Sequence, residues 1–412
     1  MNQLICLPER TVSMISILSF RPLFDWNLQN VYNLIDYVVN KERTSFMEFK
    51  YSMPTEIHFG EDVILKNKEV FSAIGSKALI VTGRSSAKKN GSYDDVKKAL
   101  SKTGIEYVLF DEVEENPSLE TIEKGSDIGK KNHVDFVIGI GGGSPMDAAK
   151  AMAVFIKNPK INKENIFRTG KLESIPMVAV PTTSGTGSEV TQYSIVTSTK
   201  EKTKKNLGQS IFPRVAFIDS RYTFNLPYDI TVNTAIDAFT HLVEGYLNTN
   251  STFMSDIYGE KGFELFKYCF EKLISKELTQ EFRNKVMMAS VMGGIQIAQN
   301  GTSLPHGMGY PLTYFKGLPH GLANGVLTIE YLKSFKNQTK IERMLNIMGY
   351  SHLGELEAVF NSLIDVRVDI TVEEINEYSK SFFSNKSKLK NHTEEVSLED
   401  IVRIYSKSLH KD

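Results

Sequence analysis

Cysteine, tryptophan and net charge are all scarce in this 412-residue chain, and each scarcity narrows what it can be. Two cysteines, Cys6 and Cys269, are too few for a disulfide framework and suit a reducing cytoplasm. A formal net charge of −1 gives no general field for nucleic acid or an anionic membrane, so any ligand must be recognised by a local site. No stretch approaches the roughly 20 consecutive apolar residues that a membrane span needs. Internal repeats and low-complexity tracts are lacking too. What is left, at 41% hydrophobic and 24% charged, is an ordinary globular composition with length enough for a sizeable core and two domains.

The first 46 residues point to no role. They hold the single tryptophan, Trp26, and apolar clusters around 14–23 and 31–39, without the basic start, clean apolar core and small-residue cleavage site of a signal peptide. A sensible protein start stands at Met47, MEFKYSMPTEIHFGED. Residues 1–46 are therefore expected to be an appended segment or a start-site artefact, with a regulatory or partner-binding arm as the alternative.

From Ala78 short apolar runs alternate with helical segments: ALIVT (78–82), a polar helix over 92–101, IEYVLF (105–110), a helix over 119–131, and DFVIGI (135–140). Strands of five or six apolar residues separated by helices imply crossover connections and a parallel sheet of nucleotide-binding type. Two loops then carry chemistry. In GIGGGSPMDAAKAM the glycines Gly141, Gly142 and Gly143 let backbone approach a bound group, and Ser144, Pro145 and Asp147 read as N-cap, first helical position and first turn. A diphosphate at that helix start would meet free N–H groups and the positive end of the dipole. The turn is neither G-x-G-x-x-G nor a P-loop, and a plain tight strand-to-helix connection is the alternative. After MVAV (177–180), PTTSGTGSEVT (181–191) offers the hydroxyls of Thr182, Thr183, Ser184 and Thr186 as a donor-rich rim for phosphate, ribose or amide, against the alternative of a solvated loop. Two such loops at the carboxyl ends of neighbouring strands favour one shared crevice.

After VAFID (215–219) the strand pattern stops, and helices are expected over about 229–247, 255–275, 281–299, 320–336, 339–348, 353–363, 371–385 and 397–409. The reading is a dinucleotide-binding α/β domain over 47–226 and a helical metal-binding domain over 227–412. Its centre is TVNTAIDAFTHLVEGYL (231–247), where Ala235, Phe239, Leu242 and Tyr246 follow helical spacing. Asp237 and His241 then project one turn apart from one face, as two ligands of a single ion must. Two further histidines, His306 and His320, stand in matching LPHG settings 14 residues apart (320 − 306). One aspartate and three imidazoles make a plausible metal cage; an exposed, hydrogen-bonded Asp/His pair is the bland alternative.

With those residues in view, the chain resembles the iron-containing, or group III, alcohol dehydrogenase family from about Met47 to its end. The resemblance rests on GGGSPMDAAK (141–150), PTTSGTGSEVT (181–191), the Asp237/His241 helix and GTSLPHGMGYPLTYFKGLPHGLANG (301–325), in that order and spacing. It implies the architecture shared with dehydroquinate synthase, a Rossmann-like parallel-sheet domain followed by an all-helical one. It also implies Asp237, His241, His306 and His320 as ligands of a divalent ion, iron(II) foremost and zinc as an alternative. NAD or NADP would lie with its diphosphate along Gly141, Gly142, Gly143 and Ser144, beside Asp147. Thr182, Thr183 and Thr186 would reach the nicotinamide half, Lys205 the cleft, and Gly83 and Ser85 the adenosine end.

Two departures from the family pattern matter. Tyr310 replaces a histidine that many members carry four residues after the third ligand, so no dedicated general base is expected and the alcohol's proton would leave through water or the Tyr310 phenol. Gly83 stands where NAD-preferring members often have an aspartate, and Arg84, Lys88 and Lys89 follow it, so NADP is favoured over NAD. The implied reaction is reversible hydride transfer between NAD(P) and a primary or secondary alcohol or its carbonyl product. Rivals are a glycerol dehydrogenase-like polyol enzyme, a dehydroquinate synthase-like lyase and a metal-dependent hydrolase. Tyr193, Tyr310 and Phe315 are expected around the substrate and suggest a mostly apolar small molecule. A cytoplasmic homodimer completes the expectation, with neither nucleic acid nor membrane as partner.

Overall fold

Six parallel strands form the central sheet, in the order β1-β8-β5-β4-β2-β3. They are β1 (Glu56–Phe59), β2 (Lys77–Gly83), β3 (Glu106–Val113), β4 (Phe136–Gly141), β5 (Met177–Pro181) and β8 (Val215–Ile218). The computed structural model describes residues 48–200, 203–384 and 386–410, so the expectations for residues 1–46, Trp26 among them, fall outside the described residues. Strands β4, β5 and β8 are buried along their whole length, which is why they read as continuous apolar runs. The short, polar edge strand β1 and the antiparallel hairpin of β6 (Ile195–Ser198) and β7 (Thr203–Asn206) carry no such run, and sequence reading misses them.

The winding of the sheet makes the crevice. From β2 the chain steps outward to β3 and then crosses back to place β4 on the opposite side of β2. Such a reversal parts the connections at the carboxyl ends of the strands and leaves room between them for a ligand. The loops after β2, β4 and β5 all rise at that end.

Beyond Ile218 every long element is helical: Tyr228–Tyr246, Phe253–Ile274, Gln280–Asn300, Leu304–Lys316, His320–Lys333, Thr339–Met348, Leu353–Leu363, Val372–Ser384 and Leu398–Leu409. All eight expected helices are present. The ninth, Leu304–Lys316, goes unforeseen because Pro305, Gly307, Gly309 and Pro311 argue against a helix at each turn. Pro305 sits in the first turn, where its missing N–H costs nothing, and Pro311 is accommodated inside. Among the described residues no helix is long and apolar enough to cross a membrane.

The Tyr228–Tyr246 helix is the axis of this half. Its predicted stripe is buried, and so is every residue from Ala235 to Tyr246, because the Phe253–Ile274, Gln280–Asn300 and His320–Lys333 helices pack around it. Phe239 anchors the packing, with the rings of Phe263, Phe266, Phe270 and Phe360 all 5.0–6.0 Å away, edge to face. Truncating it opens a cavity that four surrounding rings cannot all close. Phe239→Ala is expected to cost about 3–5 kcal/mol, read as a lower denaturant midpoint at unchanged slope by far-ultraviolet circular dichroism; a midpoint shift of a few tenths of that size would show that this axis is not what holds the helical half.

Candidate metal and nucleotide site

The Tyr228–Tyr246 helix brings Asp237 and His241 to one face, and the Leu304–Lys316 helix lays His306 against them. Ligating atoms of these three buried residues lie within 4.8 Å of one another. Nε2 of His306 is 3.5 Å and Nε2 of His320 is 3.9 Å from Asp237 Oδ1. The His241 and His306 rings stack at 4.4 Å, and His320 closes the group from the start of the His320–Lys333 helix. Asp237 is 3% exposed, whereas the His320 side chain keeps 30% of its surface, so the group is reached from the His320 side.

Asp237, His241 and His306 are each oriented from behind. Glu244, one turn beyond His241 and fully buried, accepts from His306 Nδ1 and from the backbone N–H groups of Ser303 and His306. The carbonyl of Gly185, in the loop after β5, bonds His241 Nδ1 at 3.2 Å. Asn324 Nδ2 donates to Asp237 Oδ1 at 3.2 Å. The arrangement is that of carboxylate or carbonyl partners turning imidazole nitrogens toward a common point. Nε2 of His306 and Nδ1 of His320 are buried without any hydrogen-bond partner among the described residues. Burial opposes ionisation of Asp237, but the imidazoles around it outweigh burial and hold its carboxyl far below the usual range. Burial likewise keeps His241 and His320 neutral, the form that binds a metal. Asp237, His241 and His306, with His320 Nε2 facing the same carboxylate and His306 Nε2 left without a hydrogen bond, fit a divalent transition ion.

The nucleotide side is built from two interlocked loops. The helix after β4 begins at Gly143, with Gly142 at its N-cap and no side-chain cap. Ser144, expected as the cap, instead lies inside the first turn and accepts from the N–H of Asn116 at 3.0 Å. The glycines permit this early start, and it leaves the first N–H groups of a long helix uncapped beside the crevice. A Cβ on Gly142 would come within 3.0 Å of Thr183 Oγ1, and one on Gly143 within 2.8 Å of Thr186. Only glycine lets the threonine loop pack so close, and Thr182 is buried beneath it.

A buried polar cluster fastens the same loop, and spacing gives no hint of it. Lys150 is wholly buried and donates to Ser188 Oγ (2.8 Å), Thr191 Oγ1 (3.4 Å) and the Tyr193 carbonyl (2.8 Å). Asp147 accepts from Ser188 Oγ and from the N–H of Ile195, so both its oxygens brace the loop. Burial pushes Asp147 up to about 6, Glu189 up to about 7 and Lys150 down to about 8. The hairpin sends its two lysines to opposite faces: Lys205 lies over the Phe167 ring at 4.4 Å, while Lys204 is the one whose charge reaches Asp147, Asp237 and His320. At the adenosine end Gly83 closes β2, Ser85 and Arg84 are exposed, and Lys88 is paired with Asp111.

Tyr310 lies beside His320, ring centroids 6.1 Å apart. Burial, then the charges of Asp147, Glu244 and Asp237, push its phenol well above the ordinary value, so it stays protonated and can donate. Phe315 is not in the crevice; it is 59% exposed and stacks on Tyr378 at 5.7 Å.

Comparison with known proteins identifies the family. Residues 54–220 match the family described as iron-containing alcohol dehydrogenase, and residues 231–409 match the C-terminal region of the same family. An NADPH-dependent butanol dehydrogenase of Clostridium saccharobutylicum is 32% identical over 336 residues, 79% of this chain and 83% of that protein. Lactaldehyde reductase of Escherichia coli is 29% identical over 299 residues, 70% of this chain and 77% of that one. The crystal structure of an iron-containing alcohol dehydrogenase from Thermotoga maritima superposes with a TM-score of 0.82 at 38% identity, covering 88% of this chain and 100% of that one.

Two outcomes follow for side chains that the spacing did not single out. Glu244→Gln keeps the shape but weakens the hold on His306, and metal affinity should fall about 10–100-fold in a chelator competition; unchanged affinity would make Glu244 a mere packing residue. Burial lets Glu189 hold its proton to about pH 7 in the folded protein, against the ordinary glutamate value of 4.5 when unfolded. The wild type should therefore lose stability as pH rises between those values, by up to about 3 kcal/mol. Glu189→Gln should match the wild type near pH 4 and exceed it at pH 8 in denaturant titrations, and a constant difference would contradict the buried, protonated acid.

Proposed function

The chain belongs to the iron-containing alcohol dehydrogenase family and is an NAD(P)-dependent oxidoreductase, and from that premise we propose that Asp237, His241, His306 and His320 together hold one divalent ion, iron(II) before zinc. The observation that carries the proposal is the buried Asp237 carboxylate ringed by three imidazoles, with His306 Nε2 facing it at 3.5 Å and left without a hydrogen bond. A divalent ion there supplies Lewis acidity toward the substrate's oxygen, and a nicotinamide supplies or accepts the hydride. The chain's own residues do the rest.

The uncapped helix start at Gly142–Ser144 receives the diphosphate, and Thr182, Thr183 and Thr186 line the way to the nicotinamide. Lys150 and Asp147 keep that loop in place from beneath, and Lys204, rather than Lys205, is the lysine we assign to the cleft. Tyr310, protonated and beside His320, donates a hydrogen bond to the substrate oxygen or to the water that exchanges its proton. NADP(H) is favoured over NAD(H): no acid follows β2, Arg84 and Lys89 are exposed there, and Lys88 already neutralises Asp111. The NADPH dependence of the butanol dehydrogenase relative points the same way. The substrate is a small alcohol or aldehyde, the oligomer a homodimer, the compartment the cytoplasm, and the domain border falls at Leu226–Pro227.

The test is absorbance of NADPH and NADH with butanal, on protein stripped of metal and then given iron(II) or zinc. Turnover should need metal, favour NADPH, and fall at least about 100-fold in His320→Ala. Arg84→Ala should narrow the preference by raising KM for NADPH alone. Equal turnover in metal-free protein would contradict the metal assignment. Cofactor binding without turnover under any metal would favour a lyase that uses nicotinamide transiently.

A further inference from the structure

The Gln280–Asn300 helix belongs to the helical half, yet one of its faces lies against the sheet side from end to end. Gln280 Nε2 donates to Ser220 Oγ at 2.6 Å, and that hydroxyl donates to Asn284. Further along, Met287 Sδ accepts from Ser184 Oγ at 3.6 Å. Gly293 and Gly294 come next and bring backbone close on two sides. A Cβ on Gly293 would stand 3.3 Å from His241 Cβ, and one on Gly294 would meet the backbone of Gly187 at 2.8 Å. In the last turns the carbonyls of Ile297 and Ala298 accept from the Tyr193 phenol and from Gln192 Nε2. One helix therefore touches a proposed metal ligand and the threonine loop at once.

Arg283 fixes where this helix sits at its other end. Between Ile218 and Tyr228 the chain crosses from β8 into the Tyr228–Tyr246 helix. The guanidinium reaches into that crossing. Its Nη2 donates to the carbonyls of Leu226 (3.1 Å) and Phe224 (3.4 Å), and its Nη1 donates to Thr231 Oγ1 (2.8 Å). Thr231 passes the connection on to the carbonyl of Pro227 at 2.8 Å, and six residues later (237 − 231) the same helix presents Asp237. Arg283 and Thr231 are each 2% exposed.

Among the described residues no carboxylate pairs with Arg283: burial alone bears on its ionisation, and its Nε is enclosed without a hydrogen bond. A buried charge met only by neutral oxygens is a poor source of stability. What a guanidinium does supply is shape, a rigid planar fork that holds several acceptors in fixed relation, which a lysine's point charge does not. The three oxygens it holds all lie where the sheet is joined to the ligand-bearing helix.

We propose that Arg283 is a positioning residue for the redox step. By pinning the crossing segment and Thr231 to the Gln280–Asn300 helix, it sets the offset between the metal-ligand helix and the threonine loop, and so the approach of the nicotinamide to the substrate carbon. The inference rests on the dehydrogenase reading. Its effect falls on hydride transfer rather than on affinity, because Arg283 touches no group assigned to metal or cofactor. In the reductive direction NADPH gives the hydride to the aldehyde carbon, and solvent gives the proton to its oxygen.

The test is the single-turnover rate at which enzyme-bound NADPH is consumed on rapid mixing of the metal-loaded, full-length protein with saturating butanal. Arg283→Met should slow it about 10–100-fold, and Arg283→Lys, which keeps the charge without the fork, should fall between. NADPH affinity from fluorescence titration and metal affinity from chelator competition should stay within about threefold of wild type. Should the Met variant not fold, Thr231→Val removes one acceptor alone and should show the same split more weakly, while Thr231→Ser, which keeps the hydroxyl, should react as wild type. A rate unchanged in every folded variant other than Thr231→Ser overturns the proposal. So does a slower rate matched by an equal loss of metal or NADPH affinity, which would mark a residue that only maintains the fold. Absence of NADPH oxidation in wild type overturns the dehydrogenase reading itself, which turnover in wild type with unaffected variants would leave standing.

Discussion

A single buried carboxylate, Asp237, sets the terms for the rest of the molecule. At 3% exposure it has no water to solvate it, and its ionised form persists only because imidazoles from three helices converge on it. That demand reaches outward. His306 is turned by Glu244, His241 by the carbonyl of Gly185, and the acid itself is held by Asn324. A cage so oriented, with His306 Nε2 left without a hydrogen bond, is one that the proposed cation would complete.

Gly185 makes this local demand a global one, since it belongs to the loop after β5 that also packs on the glycine-rich turn. The same ten residues touch His241 at one end and Lys150 and Asp147 at the other. Gly187, with φ of 58°, lets this loop lie directly on Gly294, where a Cβ would come within 2.5 Å of backbone. The sheet supplies rigid strand ends and the helices supply ligands, and this loop is the piece of backbone they share. A cofactor and an ion bound as proposed would thereby share a common reference, the condition for hydride transfer between groups held in fixed geometry.

How far the chain could be read beforehand depended on the period and strength of each signal. Strands β2, β4, β5 and β8 were legible because burial on both faces leaves uninterrupted apolar runs, and the Asp237/His241 pair because four residues is one helical turn. The helix bearing His306 was not, since two prolines and two glycines oppose it locally and only packing against the neighbouring helices sustains it. Glu244 was hidden for a simpler reason. It is one of many glutamates on helices, and its role appears only once His306, 62 residues on in the chain, lies beside it. Lys204 and Lys205 could not be told apart because the alternation that separates them depends on a hairpin too polar to be foreseen. Ser144 misled because capping preference describes side chains, whereas here a glycine lets backbone conformation begin the helix first.

The central claim is that one acid and three imidazoles hold one ion, and X-ray absorption at the metal edge of the iron- or zinc-loaded protein addresses it most directly. The account predicts a first shell of nitrogen and oxygen at about 2.0–2.2 Å, with the outer-shell scattering of three imidazoles, reduced to two in His320→Ala. A shell containing sulfur, or fewer than two imidazoles in the wild type, would place the ion elsewhere and contradict the account.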